Sequence, residues 1–447
     1  MTVSEIITAV DNFAWGPVLI IFSLGCGLLF SIALKFPQIR LFKQMLNCSF
    51  KNKKANSGLT PFQALSIAIG GRVGTGNITG TASAIMFGGP GAVFWMCVMA
   101  VICSASAYIE SALAQVWKRR VNGEYAGGPS FYMDKGLKCK PIAAFYGIVS
   151  VVFLIIFAGV QTNAFSSVAS SSYRIPPMAI AVCYTLLLIV VIFGGAKVIA
   201  GVADKVVPFM SVAYVGVALL LILINITKVP SMIALIFTSA FSANAVFGGM
   251  VGSAVSWGVR RGVFSNEAGL GSLAVLHGMS EGKGRLRQRQ EAQKQGMWAI
   301  FEVFFDTIIG CSLTAFLLLC VFPHNLTEKI DSLGGSGAVA AALAARFGNA
   351  GGIVTAACIV LFAFATILAW FYIGDQALGW LMRGVPQKRA DKICILYHGG
   401  YLASVFLGCV SRMEAVWAVS DIFNGLMAVP NLAALVLLGR KVRRPER

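Results

Sequence analysis

What most constrains this chain is its partition into apolar segments, each about long enough to cross a bilayer, with little sequence left between them. They run roughly 14–35, 61–86, 90–117, 141–171, 177–199, 204–227, 231–259, 295–322, 351–380, 393–410 and 414–439. About 20 apolar residues span the hydrocarbon core as a helix. Within that core every backbone N–H and C=O must find its partner inside the protein. The expectation is an all-α polytopic membrane protein with about 11 transmembrane helices. Composition agrees: 57% of residues are apolar, 12% are charged and the mean hydropathy is +0.79, against about 25% charged in a soluble domain. No room remains for a soluble catalytic domain. No basic stretch precedes segment 14–35, so we expect it to be kept rather than cleaved as a signal peptide.

Charge orders the segments across the membrane. With the N-terminus outside, the cytoplasmic connections are 35–60, 118–140, 197–205, 260–294, 383–392 and 440–447. They hold all but six of the 36 Lys and Arg residues; the exceptions are Arg72, Arg174, Lys228, Lys329, Arg346 and Arg412. This is the positive-inside pattern, and it sets the net charge of +18 beside anionic lipid rather than nucleic acid. The expected location is the plasma membrane (the inner membrane in a bacterium), multi-pass, with a cytoplasmic C-terminus. The eleven cysteines form no CxxC pair and no zinc spacing; most sit in apolar segments as small core residues. His277, His324 and His398 fall in or near connections.

One segment is interrupted. Residues 70–80, Gly-Gly-Arg-Val-Gly-Thr-Gly-Asn-Ile-Thr-Gly, hold five glycines in eleven positions. Each costs roughly 1 kcal/mol against Ala inside a helix. A break here frees N–H groups suited to a carboxylate and C=O groups suited to a cation. The pattern is GxGxxxG with no preceding strand, which excludes a dinucleotide fold. A second interruption is read at 241–252, Phe-Ser-Ala-Asn-Ala-Val-Phe-Gly-Gly-Met-Val-Gly; close packing of a small-residue face is its alternative. With segment 14–35 set aside, ten spans divide five and five, and each half opens on an interrupted helix. Five is odd, so the halves insert in opposite senses. The expected organisation is an N-terminal helix and loop (1–60), a first five-helix repeat (61–230), a second (231–440) and a basic tail (441–447).

Candidate site residues follow from the chemistry of a zwitterion and a cation. Backbone N–H groups of Gly74, Thr75, Gly76 and Asn77 suit a carboxylate, although Thr75 and Asn77 also suit helix capping. Gln161 stands mid-span in an apolar run and needs a partner, either substrate or another helix; Phe165 lies one turn on. Thr366 and Trp370 are four apart and share a helix face, so Thr366 could meet an ion and Trp370 a side chain. Phe247 with Gly248, or Phe241, could supply the opposite wall. Sodium takes hard oxygen ligands. One candidate site joins carbonyls near Gly71 and Gly74 to Thr366, and a second joins Asn77 to Asp306 or Thr307. Asp306 and Glu110 are intramembrane carboxylates, and a proton-coupled variant would titrate there. Glu110, Arg261 and Glu267 are gate candidates, with Arg and Glu pairing near the cytoplasmic end. Each aromatic has lipid or core packing as its alternative.

Several runs resemble a known family. Gly71-Arg-Val-Gly-Thr-Gly-Asn-Ile-Thr-Gly80, Gly88-Gly-Pro-Gly-Ala-Val-Phe-Trp-Met96 and Gly127-Gly-Pro-Ser-Phe-Tyr132 are similar to motifs of the alanine/glycine:cation symporters. So are Arg261-Gly-Val-Phe-Ser-Asn-Glu-Ala-Gly-Leu-Gly271 and Asp421-Ile-Phe-Asn-Gly-Leu-Met-Ala-Val-Pro-Asn431. The resemblance implies a LeuT-like 5+5 inverted repeat after one extra N-terminal helix. It implies sodium-coupled, or in some cases proton-coupled, uptake of small neutral amino acids such as alanine and glycine. It places Gln161 in a Gln-x-Asn substrate motif and Trp370 after a hydroxyl pair. Cys97 stands where the family has Trp, Ala365 replaces one of two hydroxyl residues, and Asp375 stands where Glu is usual. Loss of the hydroxyl puts one cation ligand in question. The implied ligands are amino acid and sodium, in contact with membrane lipid, with no cofactor, nucleic acid or obligatory protein partner. A passive channel would show symmetric polar rings and a membrane enzyme a nucleophile–base–metal constellation; neither is present in the sequence.

Overall fold

The computed structural model describes residues 3–47, 60–121, 124–242, 252–280, 285–323, 325–411 and 414–442. Helices α1 (Val3–Ala14) and α2 (Pro17–Ala33) are followed by the short α3 (Pro37–Arg40) and α4 (Phe42–Asn47). Then α5 (Pro61–Arg72) starts at a capping box: Thr60 Oγ1 accepts from Gln63 N at 3.1 Å, and Gln63 Oε1 accepts from Thr60 N at 3.0 Å. Two orphan donors are thereby paired, and Pro61 at the first helical position loses nothing. After the break come a π-helical stretch, Gly76–Gly80, and α6 (Thr81–Gly88).

Helix α7 (Gly91–Trp117) recrosses the molecule to a small antiparallel hairpin, β1 (Arg119–Val121) with β2 (Glu124–Ala126). We call its two ends the Pro90 face and the Gly127 face. There follow α8 (Pro129–Lys135), α9 (Lys140–Tyr173), α10 (Pro177–Phe193), α11 (Gly195–Ile224) and α12 (Val229–Ala240). The second half contains α13 (Ser253–Asn266), α14 (Ala274–Gly278) and α15 (Arg285–Val303), which runs through a π-helical stretch, Phe304–Cys311, into α16 (Ser312–Val321). It closes with α17 (Leu326–Leu381), α18 (Gln387–Val410) and α19 (Glu414–Leu438). Positive φ at Gly334 and Gly348 divides α17, and the stretch after Gly348 forms its crossing. The core is built where α9 packs against α17, α18 and α19, and where α7 packs against α2, α13 and α15.

Among the described residues eight helices are long and apolar enough to cross a membrane. The shorter α10 and two interrupted helices bring the crossings to the expected eleven. The second interrupted helix is not where the sequence placed it. Residues 243–251, with Phe247 and Gly248, lie outside the described residues. Helix α12 does not cross. Lys228 Nζ at its start donates to Cys320 O at 3.1 Å, at the end of α16, and Trp95 Nε1 in the first turns of α7 donates to Ala240 O at 3.1 Å. Both its ends therefore lie on the Pro90 face. Phe241 is 58% exposed there, its ring against Phe94 and Trp95.

The crossing runs instead through residues 253–278. A Cβ on Gly88 would meet Ser253 O at 3.2 Å, and one on Gly278 would meet Gly127 Cα at 2.8 Å. The start of α13 thus lies at one face and the end of α14 at the other. Between them the helix is unwound. Glu267, Gly269 and Gly271 all take positive φ (52°, 93° and 80°), a geometry no α-helix continues through. Its polar groups are paired by side chains, as burial requires. Gly269 N donates to Glu110 Oε1 at 3.4 Å, and Asn431 Nδ2 donates to Gly269 O at 2.8 Å and to Glu110 Oε2 at 3.0 Å.

Candidate functional site

The two unwound stretches meet in the middle of the bundle. Gly76 and Gly80 face Phe264 near the end of α13; a Cβ on Gly76 would touch its ring at 3.4 Å. Asn77 Nδ2 donates to Asp306 Oδ1 at 2.6 Å and to Asp306 O at 2.9 Å, and Asn77 Oδ1 accepts from Gly74 N at 3.0 Å. Asp306 Oδ2 accepts from Ser265 Oγ and Thr307 Oγ1, both at 2.9 Å. Asn266 Nδ2 donates to Thr307 Oγ1 at 3.1 Å. One carboxylate, two amides and two hydroxyls from three elements thus form one buried oxygen-rich cluster. Both π-helical stretches carry residues into it. Gly310 is required at the contact, because a Cβ there would lie 2.9 Å from Asn77 Nδ2.

A second polar contact lies on the other side of the first break. Thr366 Oγ1 donates to Gly70 O at 2.9 Å. Gly74 comes so close that a Cβ would sit 2.5 Å from Thr366 Oγ1, while one on Gly71 would meet Leu273 at 2.8 Å and Trp370 Nε1 at 3.7 Å. Thr75 N donates to Gln161 Oε1 at 3.2 Å, and Thr75 Oγ1 donates to the same oxygen. In this conformation the N–H groups of Gly74 and Thr75 are therefore held by Asn77 and Gln161. Phe165 turns elsewhere: its ring packs on Tyr184 of α10 at 4.5 Å.

Aromatic rings wall the cluster. Trp370 stacks on Phe157 at 4.2 Å, Phe157 meets Phe264 edge-on at 4.8 Å, and Phe264 stacks on Trp417 at 5.4 Å. The Arg261 guanidinium lies 5.3 Å above the Phe264 ring. The sequence had Arg261 and Glu267 paired near the cytoplasmic end; the structure separates them. Arg261 Nη2 and Arg260 Nη2 donate to Asp421 Oδ2 at 2.8 and 2.7 Å, and Arg260 also pairs with Asp11 of α1. All four charges are buried in the half of the crossing nearer the Pro90 face. A cavity of about 270 Å³, lined by Asn12, Trp15, Ser256, Trp257 and Arg260, reaches in from that side.

Glu267 sits in the unwound stretch, accepting from Ser272 Oγ and lying beside Trp370. Toward the Gly127 face is a charged group that the sequence did not single out. Arg72 Nε donates to Glu302 Oε2 at 3.1 Å, and His277 Nε2 lies 3.3 Å from the same oxygen, all three fully buried or nearly so. His277 had been placed in a connection. Its true position follows from moving the second break, and the Asn266-Glu-Ala-Gly-Leu-Gly271 run was the signal for that.

A polytopic bundle with two unwound helices meeting at a buried polar cluster defines a membrane transporter. Comparison with known proteins places it further: residues 1–445 match the sodium:alanine symporter family, and the chain belongs to that family. It is 35% identical over 445 residues to the sodium/alanine symporter AgcS of Methanococcus maripaludis, covering 97% of this chain and 94% of that one. It is 35% identical over 404 residues to the sodium/proton-dependent alanine carrier protein of Bacillus sp. (strain PS3), covering 88% of each. Among solved structures, MhsT in complex with L-phenylalanine superimposes with a TM-score of 0.54 at 13% identity, over 86% of this chain and all of that one. The shared fold is the LeuT-like fold.

Proposed function

We propose that this chain is a secondary active transporter that couples sodium entry to uptake of a small neutral amino acid, alanine or glycine, by alternating access. The observation that carries the proposal is the meeting of both unwound helices at one buried cluster, Asn77, Ser265, Asp306 and Thr307. Its oxygens suit a desolvated cation, and the adjacent half-helix ends suit a zwitterion. The names of the two relatives point the same way.

In this scheme the substrate carboxylate takes over the N–H groups of Gly74, Thr75 and Gly76. Thr75 and Gln161 release one another to make that contact, so substrate exchanges for an internal hydrogen bond rather than filling an unmet demand. Trp370, Phe157 and Phe264 supply a packed aromatic wall beside the site, which suits a small side chain and selects against larger ones. One sodium is held by Asn77, Asp306 and Thr307 with Ser265. A second site lies between Thr366 and the carbonyls of residues 70–74. Sodium screens Asp306 and fixes the first break, so ion and substrate favour the same closed arrangement. Their coupling is the difference in their affinities for the two states.

We assign the Pro90 face to the outside and the Gly127 face to the cytoplasm, because the loops at the latter hold most of the Lys and Arg residues. Arg260 and Arg261, once counted in a cytoplasmic loop, belong to the outer half of a crossing. The second repeat then begins at Ser253 and opens, like the first, on an interrupted helix. Proton coupling is the second reading, favoured by the buried carboxylates Asp306, Glu110 and Glu267 and by the name of the Bacillus relative.

The test is uptake of labelled alanine and glycine into proteoliposomes under an inward sodium gradient, with choline as control. Accumulation above equilibrium that requires sodium is expected. Accumulation driven by a pH gradient alone would shift the coupling to protons. Equilibration without accumulation would sink the coupled mechanism.

A further inference from the structure

A zwitterionic substrate makes three demands, and the scheme above meets two of them. Backbone N–H groups take its carboxylate and the aromatic wall its side chain. Its ammonium carries hydrogens that need oxygen acceptors. Among the described residues, Glu110, Glu267, Glu302 and Asp306 are the buried carboxyl groups around the two breaks. Glu110 and Asp306 have both oxygens engaged. Glu110 accepts from Gly269 N and Asn431 Nδ2, and Asp306 accepts from Asn77, Ser265 and Thr307. Glu302 has one open oxygen, but Arg72 holds it toward the Gly127 face. Glu267 lies within the second break itself. Its Oε2 accepts from Ser272 Oγ, while Oε1 is buried with no partner. A buried acceptor left open in this way calls for an explanation.

The backbone at this position gives no reason for a glutamate. Glu267 N donates to Val263 O at 2.8 Å, and its φ of 52° ends α13 in the left-handed region. Helices usually fill that position with glycine. What Glu267 adds is its carboxyl group, and that group is well placed. Ser265 and Asn266, the two residues before it, belong to the oxygen-rich cluster. Asn266 Oδ1 also accepts from Ala268 N at 3.0 Å, which braces the turn around Glu267. The Trp370 indole lies beside the Glu267 carboxyl, and a Cβ on Gly71 would stand 3.7 Å from Trp370 Nε1. Glu267 and the backbone of the first break thus converge on one indole.

We propose that Glu267 Oε1 accepts the ammonium group of the substrate, and that this contact selects amino acids over other small carboxylic acids. The proposal rests on the transporter reading above. Arg72 lies within electrostatic reach of Glu267, and its Nη1 and Nη2 bond no described residue. It offsets the charge of Glu267 and leaves Oε1 to the ammonium. Ser265 and Glu267 then hold sodium and substrate from a single turn. Either ligand orders that turn for the other, which gives each a higher affinity for the same state. Lactate has the carboxylate and methyl group of alanine with a hydroxyl in place of the ammonium. It brings a net negative charge toward Glu267 with nothing to compensate it, and an uncompensated charge of this kind is a strong basis for rejection.

Two measurements test this. The first compares the wild type with Glu267→Gln in proteoliposomes, reading the KM for alanine in sodium-driven uptake and the inhibition constant of lactate against it. The variant keeps the shape of the side chain and an oxygen for Ser272, and removes the charge. The alanine KM is expected to rise about 10–100-fold, as loss of a hydrogen bond between charged groups requires, while the lactate constant stays level or falls. General damage to the site would weaken both ligands together. That result, or an alanine KM within about threefold of wild type, would overturn the proposal. The second measurement needs no variant and covers the case in which Glu267→Gln fails to fold. Wild-type protein with carbon-13 in its glutamate carboxyl groups is reconstituted in lipid with sodium and nitrogen-15 alanine, and the carbon–nitrogen dipolar coupling is read by solid-state NMR. A carboxyl carbon within about 4 Å of the ammonium nitrogen is expected; bound alanine with no such contact would refute the assignment. Failure of the wild type to accumulate alanine would strike the transporter reading. Sodium-driven uptake with unaltered discrimination in Glu267→Gln would strike the Glu267 assignment alone.

Discussion

Thr366→Val tests the second sodium site. Valine has nearly the shape of threonine, so the substitution removes one hydroxyl and little else. Thr366 is fully buried, and its hydroxyl donates to Gly70 O at 2.9 Å. If that oxygen also ligates sodium, its loss removes one contact to a charged group, worth about 1.5–3 kcal/mol. A partial offset exists. Without the hydroxyl, Gly70 O is left unpaired in the ion-free state, and sodium binding would relieve up to about 1 kcal/mol of that penalty. With the full offset the net loss is about 0.5–2 kcal/mol, a factor of roughly 2–30 in sodium affinity. The assay is the sodium dependence of alanine uptake in proteoliposomes at saturating alanine. The KM for sodium should rise by that factor in Thr366→Val and stay near the wild-type value in Thr366→Ser. A Val variant with a sodium KM within about twofold of wild type would remove Thr366 from the ion site.

Two further substitutions probe the packing on which the site depends. Gly74→Ala places a Cβ 2.5 Å from Thr366 Oγ1, with two buried backbones to move, and should cost about 1–3 kcal/mol by overpacking; melting in detergent should fall and uptake be lost, whereas unchanged melting would disprove the close approach. Asp421→Asn leaves Arg260 and Arg261 with Asp11 as their remaining carboxylate, at a cost of about 3–5 kcal/mol; it should lower melting more than Asp11→Asn, since Asp11 bonds Arg260 alone, and the reverse order would show that Asp421 is not the bridge.

Ten of the crossings and the first break were legible because they are local; the eleventh, read at 231–259, was not. A run of apolar residues and five glycines in eleven positions need no partner to be recognised. The second break was not legible in the same way. The small residues at 241–252 look like an interruption, while the true one starts at Glu267, an L-residue held at positive φ by its surroundings. Arg260 and Arg261 argued against membrane depth, and only Asp421 and Asp11, 161 and 249 residues away from Arg260, make them compatible with burial. Helix α12 has the composition of half a span, and only its contacts at both ends show that it stays on one face. His277 was misplaced for the same reason: its segment reads as a loop until the break upstream is moved.

The two π-helical stretches, Gly76–Gly80 and Phe304–Cys311, bear on how such chains diverge. A π turn holds one residue more than an α turn, so it behaves as a one-residue insertion that the flanking helices absorb. Deleting a single residue from either stretch would restore an ordinary helical turn there, leaving the flanks in register while residues of the stretch itself turn by up to about 100°. Asn77 and Asp306 would then no longer face each other, although every side chain in the cluster remained. A one-residue gap here in a descendant sequence would therefore mark altered ion dependence more reliably than most substitutions among the ligands themselves.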